Sequence, residues 1–520
     1  MITVPCFGGG NSQNSVKSGP NPNMNLTGLP IVKQKETYTF AYQRNNLSQN
    51  SMTDKEAVKR AERETNIQIN WMEIPVAGWT ERLNILFASS DLPDAIIRPV
   101  QDIMMQNLSQ MADLTDLIDP YSPILSEFLN TRPDVRSMIT APDGRIYSFP
   151  GGVENLWSKT NDCLFINKTW LDALKLPVPS TTEEFYNTLK AFRDNDMNGN
   201  GNRNDEIPFS FCQANDPSSM KSMFGSFGIL DNPEHLQVIN GVVTFTPARP
   251  EFLEALRYFN KLYSENLIDP EAFSQSYQQY LAKGKESRML YGSFIVNIHT
   301  DVCGGDRIND YIPVAPLKGP SGIQLWNRFR GAGLALTSFT ITNKCRNPET
   351  LVRWYDYLHS SFEILMLWQL GPENYAWDRD SAGRWRNSMI NVPQGSSFQE
   401  YWYTMSVGST GPQCPQIFDF NNVNTRSLEG DDNTIGKLAS QALQEAFLSD
   451  VLPQGLEDPV VIQDRAIMFA DIDTYIRNFI ATSVMQGVTD AQWNEHLRNT
   501  ERMNIPRYVQ SYQALYDRSR

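Results

Sequence analysis

The chain is poor in the residues that build metal clusters and nucleophilic triads. Its 520 residues include only six cysteines and four histidines. Cys6, Cys163, Cys212, Cys303, Cys345 and Cys414 are scattered and form no Cys-x-x-Cys pair. His235, His299, His359 and His496 share no metal-ligand spacing. These patterns argue against a zinc or iron site and against a disulfide framework. Isolated cysteines of this kind behave as small buried apolar residues. No stretch approaches the roughly 18 apolar residues that span a bilayer. A net charge of −14 argues against nucleic acid, which demands a basic surface. Gly-x-Ser-x-Gly, HExxH, Walker and dinucleotide-glycine motifs are all missing. With 59 acidic residues, a carboxylate pair for glycoside hydrolysis could always be found, so such a pair carries no information. No internal repeat is apparent.

What is present is a large, aromatic-rich globular chain. Hydrophobic residues make up 40% and aromatics 11%, and 520 residues exceed the size of one core, so two or more lobes are expected. Residues 1–35 are rich in Ser, Asn, Gly and Pro and read as a flexible tether. Cys6 at its start is a candidate lipid-attachment point or an ordinary exposed thiol. Folded structure is expected from Glu36, where Tyr38, Phe40 and Tyr42 alternate as in a strand. Thr53-Asp-Lys-Glu56 has the capping-box pattern and opens a helix to about Thr65. A second alternating strand at Ile67–Trp71, a helix at Trp79–Ala88 and the apolar run Ala95–Ile97 complete a β-α-β-α-β rhythm. In open α/β sheets ligands sit beyond the carboxyl ends of the strands, which makes Gln43, Arg44, Arg98 and Pro99 cleft candidates or plain loop residues. Further helices are expected at Thr182–Arg193, Pro250–Glu265, Asn433–Ser449, Pro459–Met485, Asp490–Asn499 and Ile505–Asp517.

The segment Asp196–Glu206 stands out. Oxygen-bearing side chains alternate at Asp196, Asn198, Asn200, Asn202 and Asn204, glycines fall at 199 and 201, and Asp205-Glu206 ends the run. Counted from Asp196, these are the first, third, fifth, seventh and ninth positions of an EF-hand loop, with Gly201 at the sixth. The twelfth position, a bidentate Glu in an EF-hand, is Ile207. Asp205 and Glu206 would close a Ca²⁺ site one or two residues early. A metal-free polar turn is the alternative.

Asn167-Lys-Thr-Trp-Leu-Asp172, continuing through Pro177–Tyr186 into this loop, resembles the extracellular solute-binding proteins of family 1, and more narrowly the alginate-binding lipoproteins. Ser90–Asp94, Ala141–Pro150, Leu370–Tyr375, Asp380–Arg384 and Tyr508–Arg518 extend the resemblance over nearly the whole chain from Glu36. It implies a two-lobed α/β fold of the periplasmic-binding-protein type, with a cleft between lobes and a helical C-terminal region. The implied function is extracytoplasmic: reversible oligosaccharide binding by lobe closure and delivery to ABC-transporter permease subunits, by a monomer without catalysis. A carbohydrate-active lyase or hydrolase, or a surface glycan sensor or adhesin, is the alternative. The expected division places 36–150 and about 310–370 in one lobe, and 151–309 and about 371–520 in the other.

The resemblance also implies a structural calcium ion held by Asp196, Asn198, Asn200, the Asn202 carbonyl, Asp205 and Glu206, with Asn204 joining or looped out. Sugar rings stack on aromatic residues and their hydroxyls need planar donors and acceptors. Loop aromatics near Asn, Arg or Gly are therefore candidate ligand contacts: Trp157, Trp326, Trp377 and Trp402, with Asn297, His299, Arg328 and Arg330. The two arginines suit an acidic or heavily hydroxylated ligand. Trp354 and Trp368 lie at helical spacing and are expected in the core.

Overall fold

The structure, a computed structural model, describes residues 21–519 apart from 45–47, 49, 155–159, 161, 328–333, 389–397, 408–416, 420–426, 428–431 and 449–451. Trp157, Arg328, Arg330 and Cys6 lie outside the described residues.

Alternating apolar residues build the first sheet. Strand Glu36–Arg44 pairs in parallel with Ile67–Pro75 on one side and Ala95–Ile97 on the other. Helices Glu56–Thr65 and Trp79–Ser89 make the crossovers. The capping box expected at Thr53–Glu56 does not form: residues 52–54 make a 3₁₀ turn, and Lys55 occupies the N-cap without a side-chain bond. Beyond Ala95–Ile97 the sheet turns mixed, with Leu334–Ile341 antiparallel to it and Ser148–Glu154 and Ile417–Asp419 following. Phe40 is fully buried, edge-on to Trp71 and Trp354 at centroid distances of 5.6 and 5.2 Å. Trp354 and Trp368, on helices Pro348–Tyr357 and Phe362–Leu370, are fully buried in this core.

The second lobe is smaller in sheet and richer in helix. Cys163–Asn167 is the central strand, flanked antiparallel by Ser293–Val296 and Tyr311–Val314. Helices Lys168–Leu174, Thr182–Arg193 and Pro250–Ser264 pack around it with the long helix Pro459–Gln486. Ile472, Ile476 and Ile480 of that helix recur at four-residue spacing and are fully buried.

The chain passes between the lobes more than once, at places other than those expected. Residues 311–326 belong to the second core, because Tyr311–Val314 is an edge strand of its sheet and Val314, Leu317 and Trp326 join its apolar cluster. By Leu334–Ile341 the chain is again in the first sheet. Trp377 and Trp385 remain beside the first lobe, clustered with Met366 and Leu370, and Val407 and Leu456 are members of the first core. Residues 21–35 are not a tether either. Met24, Ile31 and Val32 are buried, and Asn21 N–H donates to the Glu349 carboxylate at 2.8 Å. Three apolar side chains give this polar segment something to bury. No helix among the described residues is long and apolar enough to cross a membrane.

Candidate functional site

A cavity of about 430 Å³ lies between the lobes. The first lobe contributes Gln101, which opens helix Gln101–Gln106 after strand Ala95–Ile97, and the strand residues Leu334–Thr337. The second lobe contributes the loop and strand residues 230, 232–234 and 236–238, Asn327, and Arg465, Tyr512 and Leu515 from two C-terminal helices. Residues 452–455 and Glu457 complete the lining. The volume falls within the range of small-molecule sites.

The polar groups of this cavity are held in place. Arg465 donates to both Glu457 oxygens, at 2.7 and 2.8 Å, and to Ser511 Oγ at 3.1 Å. Its guanidinium lies 3.9 Å from the centre of the Tyr512 ring. Nη2 also donates to the Ser511 carbonyl at 3.1 Å, so one of the five guanidinium N–H groups is left to meet a ligand hydroxyl or carboxylate. Asn232 Oδ1 accepts from Leu236 N–H at 2.8 Å, and Gln237 Oε1 accepts from Leu230 N–H at 3.0 Å. Thr337 Oγ1 donates to the Pro99 carbonyl at 3.1 Å. Tyr512 is the one aromatic among the described lining residues.

The residues expected at the cleft are distributed otherwise. Pro99 is tied to the cavity wall through Thr337, and Gln101, two residues on, lines the cavity. Arg44 instead faces Glu73 at 3.2 Å in a small pocket beside Lys55 and Tyr403. Trp326 is only 2% exposed, and its indole N–H donates to Asp162 Oδ1 at 3.1 Å. Burial pushes the Asp162 carboxyl up to about 7. Trp377 is buried, donating to the Gly371 carbonyl at 2.8 Å. Trp402 donates to the Gln369 carbonyl at 2.6 Å and stacks on Tyr403. Asn297 Oδ1 accepts from Lys437 Nζ at 2.6 Å, and buried His299 stacks on Phe165 at 5.1 Å. In each of these tryptophans the indole N–H finds a carbonyl or carboxylate inside the protein, as buried indoles generally do.

Sequence reasoning missed Gln101, Asn232, Gln237, Arg465 and Tyr512. Arg465 carried a signal: it sits seven residues before Ile472, on the inward stripe of an amphipathic helix, and is 8% exposed. A charge on a buried stripe demands a partner, here Glu457.

The Asp196–Glu206 loop forms a second polar centre, in the second lobe. Asp196 accepts from the N–H groups of Gly199, Asn200 and Gly201 at 2.8, 3.2 and 2.8 Å. Gly199 and Gly201 have φ of 72° and 84°, where glycine alone is unstrained. The Asn198 and Asn200 amides contact Asp205 at 3.3 and 2.6 Å, and Glu206 Oε1 accepts from Met197 N–H at 2.7 Å. Glu206 Oε2 is buried and has no hydrogen-bond partner. An orphaned buried carboxylate oxygen among inward-turned Asp and Asn side chains suits a hard cation with oxygen ligands. Among the described residues no three His, Cys, Asp or Glu side chains gather as a metal cluster. A cation here would therefore rest on asparagine and carbonyl oxygens as well.

Two α/β lobes around a polar cavity are the architecture of solute-binding proteins, and the chain belongs to the substrate-binding proteins of ABC transporters. It is 30% identical over 522 aligned residues, 97% of this chain and 94% of the relative, to the fructooligosaccharide ABC transporter substrate-binding protein FusA of Streptococcus pneumoniae. FusA in complex with kestose superimposes with a TM-score of 0.70 at 28% identity, over 93% of this chain and 99% of that one. FusA has also been solved as an EF-hand mutant with fructo-nystose. The alginate-binding protein AlgQ2 without calcium ion shares the fold, with a TM-score of 0.62 and 20% identity over 95% and 99% of the two chains. Lipoprotein LipO of Bacillus subtilis is 26% identical over 53% of this chain and 55% of its own length. No family model matches.

Proposed function

We propose that the chain binds an oligosaccharide reversibly in the interlobe cavity, closes its lobes around it and presents it to ABC permease subunits, with no chemistry of its own. The observation that carries this reading is the cavity itself: carboxamides, a threonine hydroxyl and an anchored Arg465–Glu457 pair, drawn from both lobes. Walls from two lobes suit a hinge that closes on its ligand. FusA, named for fructooligosaccharides and seen with kestose, supports a short fructan as the first ligand to try. Gln101, Asn232, Gln237, Thr337 and Arg465 are the proposed contacts, in place of Trp326 and Trp377.

A calcium ion held by Asp196, Asn198, Asn200, the Asn202 carbonyl, Asp205 and Glu206 belongs to the same proposal, as a structural clamp. The EF-hand mutant of FusA and the calcium-free form of AlgQ2 support it, as does the orphaned Glu206 oxygen. Lipidation at Cys6 is proposed on the tether composition and the LipO relationship.

Titration of intrinsic fluorescence with kestose, maltotriose and trigalacturonate tests the reading, since eleven tryptophans report closure. A saturable change with at least one sugar, recovered uncleaved, is expected. Cleavage of any panel member would replace this reading with an enzymatic one.

A further inference from the structure

His235 is fully buried behind the cavity wall, between residues 232–234 and 236–238 that line it. Nδ1 lies 3.0 and 3.1 Å from the two oxygens of Asp231, and Nε2 lies 3.3 Å from Asp473 Oδ1. A neutral imidazole has one N–H and one lone pair, so it can satisfy only one of these carboxylates. Facing carboxylates with both nitrogens, the ring can satisfy both only as an imidazolium.

The surrounding charges agree. Asp231 also accepts from Thr246 Oγ1 at 2.6 Å and lies 3.9 Å from Lys221 Nζ. Asp216 bridges Lys221 at 2.8 Å and Arg477 at 4.0 Å. Arg477 in turn donates to Asp473 at 2.7 Å. The three carboxylates Asp216, Asp231 and Asp473 are matched by Lys221, Arg477 and a charged His235, and would be one cation short with a neutral ring. The neighbouring carboxylates hold the histidine above its ordinary value against the opposing effect of burial.

The ring joins two parts of the cleft. Asp231 and His235 are on the lining segment, whereas Asp473 is on helix Pro459–Gln486, eight residues from the cavity residue Arg465. His235 itself has φ of 56°, a left-handed geometry that the bonds around it maintain: its N–H donates to the Asn232 carbonyl and its own carbonyl accepts from Thr246 N–H, each at 3.0 Å.

We propose that His235 is a positioning residue, a buried charged pin that donates to Asp231 and Asp473 at once and fixes the floor of the ligand cleft in a pH-dependent way. The consequence for ligand rests on the oligosaccharide reading above; the pin itself does not. Loss of the proton removes the bond to Asp473 and leaves the ring unable to hold both elements. The sign follows from linkage: a histidine raised in the folded state contributes fully below its unfolded value, near 6.5. That contribution is lost as pH rises through its folded value. The cleft floor is therefore tight below about pH 6.5 and loosens as pH rises through the raised folded value. Protein with a loosened floor is less competent to bind, so apparent affinity falls by the competent fraction.

The test combines ¹³C-labelled histidine NMR with amide hydrogen exchange on the full chain, both without ligand. His235 is expected to be doubly protonated at pH 6, below its unfolded value of about 6.5. Protection of the 230–238 amides, corrected for intrinsic exchange, should fall about tenfold, the scale of one charged hydrogen bond, as pH crosses its midpoint. H235Q should show the lower protection at every pH. D473N, which leaves the buried Asp231–His235 contact intact, should move the midpoint downward. Kestose affinity should follow the same profile in the wild type and be flat in H235Q. A single N–H on His235 at pH 6, or the same protection profile in wild type and D473N, overturns the pin. Absence of kestose binding at every pH counts against the fructan reading and leaves the NMR and exchange results to decide the pin.

Discussion

At the scale of single residues, two buried histidines show how partners decide charge. His235 has a carboxylate at each nitrogen. His496 has none: Nε2–H donates to the Pro247 carbonyl at 2.8 Å, and Nδ1 accepts from Tyr475 Oη–H at 3.1 Å. Its ring stacks on Phe479 with centroids 3.9 Å apart. Those bonds use one donor and one acceptor, the inventory of a neutral imidazole. Burial accordingly pushes His496 down to about 4. The sign is opposite to that of His235: stability from His496 is complete above the unfolded value of about 6.5 and is lost as pH falls toward 4. The effect amounts to about 3 kcal/mol across that window. Urea unfolding of wild type and H496Q from pH 7 to pH 4 checks this; the variant should lose the acid-dependent part. Both histidines were visible in the sequence, but their charges were not. The deciding partners, Asp473 and Pro247, lie 238 and 249 residues away along the chain.

At the scale of elements, local pattern was a good guide and long-range partners were not. Thr182–Arg193 forms a helix over the residues its periodicity marks, capped by the Thr181 hydroxyl, and Pro459–Gln486 runs one residue beyond expectation. The Thr53–Glu56 pattern had the chemistry of a cap, yet Lys55 is drawn away to cap another element. Its ammonium donates to the Tyr403 and Ser406 carbonyls at 2.7 and 2.6 Å, at the end of helix Phe398–Met405. Loop tryptophans looked like sugar platforms because their neighbours were polar; their indole N–H groups are instead satisfied by the Asp162 carboxylate, 164 residues from Trp326, and by the Gly371 carbonyl, six residues from Trp377. The Asp196–Glu206 loop is the element whose chemistry was most legible, since its ligand spacing and its glycines are local. Ile207 directly after it bridges to Tyr291, and its N–H donates to the Leu290 carbonyl at 2.8 Å. A metal clamp there would brace the approach to strand Ser293–Val296. Chelation of calcium-loaded protein should lower unfolding stability by about 2 kcal/mol, the scale of linkage at large ligand excess. Asp196→Ala should reproduce that loss, with oligosaccharide affinity unchanged in both cases. No change in the melting profile on chelation, with no calcium by elemental analysis, would remove the clamp.

At the scale of the whole molecule, the cavity gathers residues from Gln101 to Leu515, and that reach explains what sequence could not supply. Periodicity locates strands without saying which sheet they enter. Tyr311–Val314 fell within the stretch expected in the first lobe and pairs with Cys163–Asn167 in the second. The lobe boundary consequently lies beyond Trp326 rather than at about 310, with Leu334–Ile341 again in the first sheet. The same multiple crossing gives the cleft walls from both lobes, with Leu334–Thr337 of the first and Asn232 and Gln237 of the second lining one cavity. Closure of those walls on a ligand is the central claim, and small-angle X-ray scattering of the full chain measures it directly. Adding a saturating concentration of the sugar selected by fluorescence should reduce the radius of gyration and sharpen the maximum dimension. A bound complex, verified by calorimetry, whose scattering curve is superimposable on that of the free protein would contradict it.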